Sequence, residues 1–159
     1  GKGSIGMKVG RMANAFRMNI NYFSVRNYKK TQFLKFLSSL DYLSIHCPLN
    51  EKTKDLITIK ELKIMKKNMI LINTARGGIV NENDLTKALK QKIIAGAGID
   101  VTTSEPPKKS HAYYSILNEA NFIWTPHTAW ASNETLQEAI NQLIKNINSF
   151  YKGKKRNIV

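Results

Sequence analysis

The sequence predicts an α/β fold, a doubly wound and mostly parallel sheet with helices on both faces. Three observations predict it. Short apolar runs of strand character alternate with segments whose apolar residues recur at helical spacing. A glycine-rich turn leads directly into one of the helical segments. Strand-like runs also stop at Pro48 and Pro126, which cannot extend a ladder.

Taken in order, residues 3–16 read as a turn entering a helix, with Val9, Met12, Ala13 and Phe16 on one face. Residues 20–24 read as a short strand. Residues 32–40 look helical, with Phe33, Leu34, Phe36 and Leu37 apolar. Residues 42–47 form a strand, 59–65 a helix and 69–73 a buried strand. Residues 82–90 form a helix that turns Leu85, Ala88 and Leu89 inward. Strands follow at 95–101 and 121–124, separated by the longest irregular stretch, 105–122. Long loops in compact domains are often functional. Residues 134–151 are the longest helix, with a stripe of Leu136, Ile140, Leu143, Ile144, Ile147 and Phe150. No internal repeat or low-complexity linker interrupts this order.

Composition narrows the class. The 159 residues suffice for one domain with a packed core, and a 42% hydrophobic content excludes wholesale disorder. No stretch approaches the roughly 20 apolar residues that span a membrane, and no signal-peptide pattern is expected from the glycine-rich start. The single cysteine, Cys47, excludes an internal disulfide and makes a reducing cytoplasm the expected compartment. The formal charge of +14 could mean an anionic partner such as nucleic acid. Lysine supplies 20 of the 25 positive charges and is spread along the chain, so compositional bias is the favoured reading and a nucleic-acid role is not expected. A basic surface would still steer anionic cofactors and acids.

The opening residues, Gly1-Lys2-Gly3-Ser4-Ile5-Gly6, match G-x-G-x-x-G, the turn that binds a dinucleotide in a Rossmann-type sheet. Gly1 would allow the tight turn, Gly3 the approach of backbone to a pyrophosphate, and Gly6 the packing of helix on strand. Ser4 and Ile5 would offer N–H groups at a helix N-terminus, where an anion is favoured. The motif should follow a strand, and that first strand belongs in the middle of such a sheet. The expectation is therefore a partial nucleotide-binding domain over residues 1–159 that is part of a longer chain. A truncated product, or a partner that supplies the strand, is the alternative.

The usual ribose-binding acid about 20 positions further on is absent. Ser24 stands there, followed by Arg26. An acid would repel a 2′-phosphate, whereas serine with arginine could accept one, which favours NADP over NAD. The alternative is that Arg26 is an ordinary solvated arginine.

Further motifs carry a family resemblance. Asn73-Thr74-Ala75-Arg76-Gly77-Gly78-Ile79-Val80 resembles the N-x-x-R-G-x-x-V signature of D-isomer-specific 2-hydroxyacid dehydrogenases. Residues 96–101 with Ser104-Glu105-Pro106 resemble that family's G-x-x-x-D-V segment and its catalytic Glu-Pro. Thr125-Pro126-His127-Thr128-Ala129-Trp130 is similar to its catalytic-histidine segment, and Ile45-His46-Cys47-Pro48-Leu49 with Thr53 to a stretch near the nicotinamide. The closing stretch, residues 153–159, is similar too. The motifs come in family order along nearly the whole chain. The H-x-A-W-A run at His127 resembles the glycerate dehydrogenase, or hydroxypyruvate reductase, branch.

This chain departs from the pattern in places. Asn81 replaces the usual aspartate and Asn83 is likewise less acidic. The segment 24–32 is shorter than the family's, which bears on the Ser24 and Arg26 argument. The substrate domain, which in the family largely precedes the glycine loop, is absent.

The resemblance implies hydride transfer between a nicotinamide cofactor and a small 2-hydroxy or 2-keto acid, with Arg76, Glu105 and His127 catalytic. His127, with an ordinary pKa near ~6.5, is suited to carry the proton. Glu105 would hold its imidazole and favour the charged form. Arg76 would grip the acid's carboxylate and carbonyl oxygen with its planar fork. Cys47, Pro48, Thr53, Thr74, Ala75 and Asp100 would contact the cofactor, Asp100 as acceptor for the carboxamide. His46 is expected to line the cofactor cleft, His111 to be solvated in a polar loop, and Cys47 to be a small buried residue. Trp130 would pack over the active site or against another domain. A homodimer is implied by resemblance alone. Two other readings stay open: a dinucleotide-sensing corepressor of the same fold, and an inactive fragment.

Overall fold

A computed structural model describes residues 1–26 and 28–158. Two compact units make up the chain, Gly1–Pro126 and His127–Val159.

The first unit holds a four-stranded sheet in the order β1-β2-β3-β4, with β1 at Tyr42–Ile45, β2 at Ile70–Asn73, β3 at Gly96–Ile99 and β4 at Phe122–Trp124. Every neighbouring pair is parallel. The helices are α1 (Ser4–Ala15), α2 (Lys30–Ser39), the short α3 (Ile59–Leu62) and α4 (Glu82–Lys90), with a 3₁₀ turn at Ala112–Ile116 inside the long loop. These elements agree with the reading of the sequence to within a few residues. Apolar side chains from strands and helices share one core, including Leu37, Leu62, Met69, Leu71, Leu85 and Ile94. Burying such a side chain contributes roughly 1.5–3 kcal/mol, which is what holds α2, α3 and α4 against the strands.

Caps fix the helix starts. Thr58 and Glu61 form a capping box on α3, and the Asn81 side chain accepts the amide of Asp84 at the start of α4.

Two expectations fail. Residues 20–24 form no strand. A strand exists only through a ladder, and a cavity of about 1040 Å³ separates residues 20–23 from the outer side of β1. The face of α1 that packs is also not the predicted one. Gly6 and Gly10 are its buried residues, while Val9, Met12 and Phe16 are exposed. The helix meets the chain on its glycine side, where Tyr22 fits closely against Gly10.

In the second unit, α5 (Asn133–Tyr151) is capped by Ser132, whose hydroxyl accepts the Thr135 amide. Its predicted apolar stripe is present and exposed, from Leu136 at 40% to Phe150 at 84%. Among the described residues no helix is long and apolar enough to cross a membrane.

Candidate active site

Parallel strands end together, so the loops that follow β1, β2, β3 and β4 gather at one edge of the sheet, the usual ligand side of an open α/β sheet. Each sequence-predicted site residue of the first unit except Ser24 and Arg26 lies on one of these loops or on the glycine turn.

The glycine turn meets the end of β1. A Cβ on Gly1 would collide with the carbonyl of His46, so only glycine lets these backbones touch. A Cβ on Gly3 would meet open space. Gly3 is also the N-cap of α1 and lends no side chain to it, so no side-chain cap accepts from the first-turn amides, those of the exposed Ser4 and Ile5 among them. That arrangement fits a pyrophosphate: amide donors, a positive helix end and room above them.

Beyond β1, burial holds the His46 imidazole below its ordinary pKa, and its Nε2 lies 2.8 Å from the Ser44 hydroxyl. Burial pushes the Cys47 thiol up, which keeps it neutral and unreactive. Both line the cavity beside β1, as Pro48 leads away from it. Thr53 is fully enclosed. Its hydroxyl donates to the carbonyl of Pro48 at 2.7 Å and accepts the amide of Asn50 at 2.8 Å, so it shapes the loop.

The turn after β2 carries Thr74, Ala75 and Arg76. Asn73 builds it: the buried side chain accepts the Ala75 amide at 3.1 Å and donates to the Arg76 carbonyl at 3.0 Å. The Arg76 guanidinium stays exposed, with one N–H on the Ala75 carbonyl at 2.7 Å. Next to it, a Cβ on Gly77 would strike the carbonyl of Thr102 and the amide of Thr103. The Arg76 turn therefore rests directly on the loop that leads to Glu105.

That loop leaves β3 through Asp100, which is 3% exposed and accepts a hydrogen bond from the Thr125 hydroxyl at the end of β4. The Asp100 amide donates back to the Asn73 carbonyl at 3.0 Å, tying the β2 and β3 ends together. Glu105 is exposed, with one carboxylate oxygen accepting the Thr102 amide at 3.1 Å.

Arg76, Glu105, Asp100 and Thr125 thus belong to one rigid neighbourhood. The chain then runs through Pro126 to His127, the first residue of the second unit. His127 has a φ of 54°, in the left-handed region that costs a non-glycine residue roughly 1–2 kcal/mol. Ser24 and Arg26 lie on the irregular stretch before α2, with Arg26 exposed and its amide donating to the Ser24 hydroxyl at 3.4 Å. Trp130 is 55% exposed.

His111 is a correction. It is not solvated: its side chain is 8% exposed, 2.8 Å from Glu82 and stacked on Trp124 at 5.5 Å. Sequence reasoning also gave no role to Asn73, Thr125 or Glu82. For Asn73 and Thr125 the signal was their place at a strand's C-terminal end inside a motif. For Glu82 it was a carboxylate in the first turn of a helix.

A family model described as D-isomer specific 2-hydroxyacid dehydrogenase, NAD binding domain, matches residues 1–129. A glycerate dehydrogenase of Methylorubrum extorquens is 42% identical, over all of this chain and 51% of that protein. A glyoxylate reductase of Thermococcus litoralis is 37% identical over 96% of this chain and 48% of its own length. Among solved structures, the NAD-complexed form of a D-isomer specific 2-hydroxyacid dehydrogenase from Lactobacillus delbrueckii ssp. bulgaricus superposes with a TM-score of 0.90 at 29% identity, covering the whole chain and 54% of its own. The chain spans about half the length of the curated relatives it matches.

Proposed function

Because the chain belongs to the D-isomer specific 2-hydroxyacid dehydrogenase family, within its NAD-binding domain, we propose that the protein interconverts a small D-2-hydroxyacid and its 2-keto acid. Glycerate with hydroxypyruvate, or glyoxylate, is the substrate pair favoured by the relatives' own activities. The observation that carries the reading is the seating of the Arg76 turn on the Glu105 loop at Gly77, beside the Asp100–Thr125 contact.

A nicotinamide dinucleotide supplies the hydride when bound. This chain's residues do the rest. Gly1 and Gly6 close the turn, and Gly3, Ser4 and Ile5 would receive the pyrophosphate at the start of α1. Cys47, Pro48, Thr53, Thr74 and Ala75 would form or shape the wall along the nicotinamide, and Asp100 would be the acceptor for its carboxamide. Arg76 binds the acid's carboxylate and stabilises the negative charge that grows on the carbonyl oxygen. His127 gives that oxygen its proton in reduction and removes it in oxidation, with Glu105 orienting the imidazole. Cytoplasmic residence and a homodimer are proposed with the family reading.

In the full-length enzyme, Arg76→Ala should lower kcat/KM for the keto acid by about 100-fold or more, with NADH affinity nearly unchanged. His127→Ala should lower kcat by about 100-fold or more, with NADH affinity nearly unchanged. Wild-type kinetics in either variant would sink the assignment.

The second half of the cofactor reading is a preference for NADP. It rests on the missing acid and on the exposed Arg26 beside Ser24. Arg26→Ala should weaken NADPH about tenfold while leaving NADH alone. Equal losses for both, read by fluorescence titration, would leave NAD as the natural cofactor.

A further inference from the structure

We propose that Glu82, Thr103 and His111 form a latch that positions Glu105, an inference that rests on the reading above. Glu82 lies in the first turn of α4, where the helix end favours a carboxylate. One of its oxygens accepts the Thr103 amide at 2.7 Å. The other accepts the Thr103 hydroxyl at 2.8 Å and meets His111 Nε2 at 2.8 Å. The histidine tautomer follows from its second nitrogen. Nδ1 accepts the Tyr113 amide at 3.3 Å, so it carries no hydrogen, and Nε2–H is the donor to Glu82.

The His111–Glu82 contact of the latch is enclosed, and its Thr103 end lies at the surface. The His111 and Glu82 side chains are 8% and 12% exposed, and the imidazole is flanked by Trp124 at 5.5 Å and Tyr113 at 4.8 Å. The His111 bond holds the Glu82 carboxylate firmly, because water competes little for it there, and the carboxylate so held is the one that the Thr103 amide and hydroxyl meet.

What the latch holds is the turn that presents Glu105. The Thr103 amide is clamped by Glu82, and the preceding amide, of Thr102, is the one that donates to the Glu105 carboxylate. The Thr102 hydroxyl closes the same turn on the Ser104 carbonyl at 2.8 Å. The backbone of Thr102 and Thr103 is also the surface on which Gly77 rests. One clamp therefore sets the place of Glu105 and its spacing from the Arg76 turn. Glu82, Thr103 and His111 touch neither reacting atom; they act through Glu105 as positioning residues.

The test uses the full-length enzyme and two substitutions of His111 that separate hydrogen bonding from packing. His111→Gln keeps a donor to Glu82 and loses the ring. His111→Phe keeps the ring on Trp124 and loses the donor. The latch predicts that the Phe variant loses about 10- to 100-fold in kcat, the Gln variant clearly less, and that neither changes the Kd for NADH. Glu82→Gln, which turns an acceptor into a donor facing His111 Nε2–H, should lose at least as much kcat as the Phe variant. Thermal melts of each variant show that folded enzyme is being assayed. A Phe variant as active as the Gln variant would mean that the ring only packs, and would overturn the proposal. Glu105→Gln separates the two levels. If it cripples kcat while Glu82→Gln and His111→Phe do not, the latch alone falls. If Glu105→Gln itself leaves kcat unchanged, the catalytic reading falls and takes the latch with it.

Discussion

Gly77 owes its identity to the atoms it would otherwise strike. The neighbouring backbone of Thr102 and Thr103 leaves no room for a methyl group, and backbone yields less readily than a flexible side chain. Gly77→Ala should therefore cost about 1–3 kcal/mol in a urea titration and separate the Arg76 turn from the Glu105 loop. In the full-length enzyme turnover should fall further than cofactor affinity does. A variant with native stability and native turnover would show that the two loops need not touch. The sequence displayed Arg76 plainly, because an arginine between Thr-Ala and Gly-Gly at a strand end has no structural use. It did not display what Gly77 touches, since that depends on the loop of Thr102 and Thr103, which is distant in sequence. His111 was illegible for the same reason. Its neighbours Lys108, Lys109 and Ser110 suggest water, while its partner Glu82 lies 29 residues away in sequence.

At the scale of the element, the capping box of α3 shows how one carboxylate can serve two structures. Glu61 is 4% exposed, accepts from both the amide and the hydroxyl of Thr58, and meets Lys30 of α2 at 2.6 Å. Burial alone would raise its pKa, but the hydrogen bonds from Lys30 and Thr58 outweigh burial and hold it below the ordinary value. A carboxylate lowered in the folded state contributes stability that is complete above its unfolded pKa, near ~4.3, and is lost as pH falls through the folded value. The unfolding midpoint of the wild type should therefore drop more steeply on acidification below about pH 4.3 than that of Glu61→Gln. Parallel curves for the two proteins would contradict this account. Periodicity located the helices well, with residues 82–90 assigned to the residue. It could not identify the neighbour of each face. The apolar side of α1 looked inward by pattern, yet the helix packs on Gly6 and Gly10. Likewise residues 20–24 have strand composition but no neighbouring strand among the described residues to pair with.

For the whole molecule, the alternation of strand and helix was enough to predict parallel pairing, because a parallel strand needs a crossover of a dozen or more residues. The loops then had to converge, and the site residues could be anticipated from the strand ends. The assembly of Arg76 and Glu105 into one neighbourhood required the register itself. Strand order here equals chain order: partners in successive ladders are separated by 28, 26 and 25 residues along the sequence. This has a consequence for biosynthesis. Each ladder closes between a strand and the next one to leave the ribosome, so among the four described strands none waits for a distant partner. Loop-closure entropy is met in small, nearly equal instalments. The two strand ends that frame Arg76 and Glu105 can be joined before β4 and α5 have emerged.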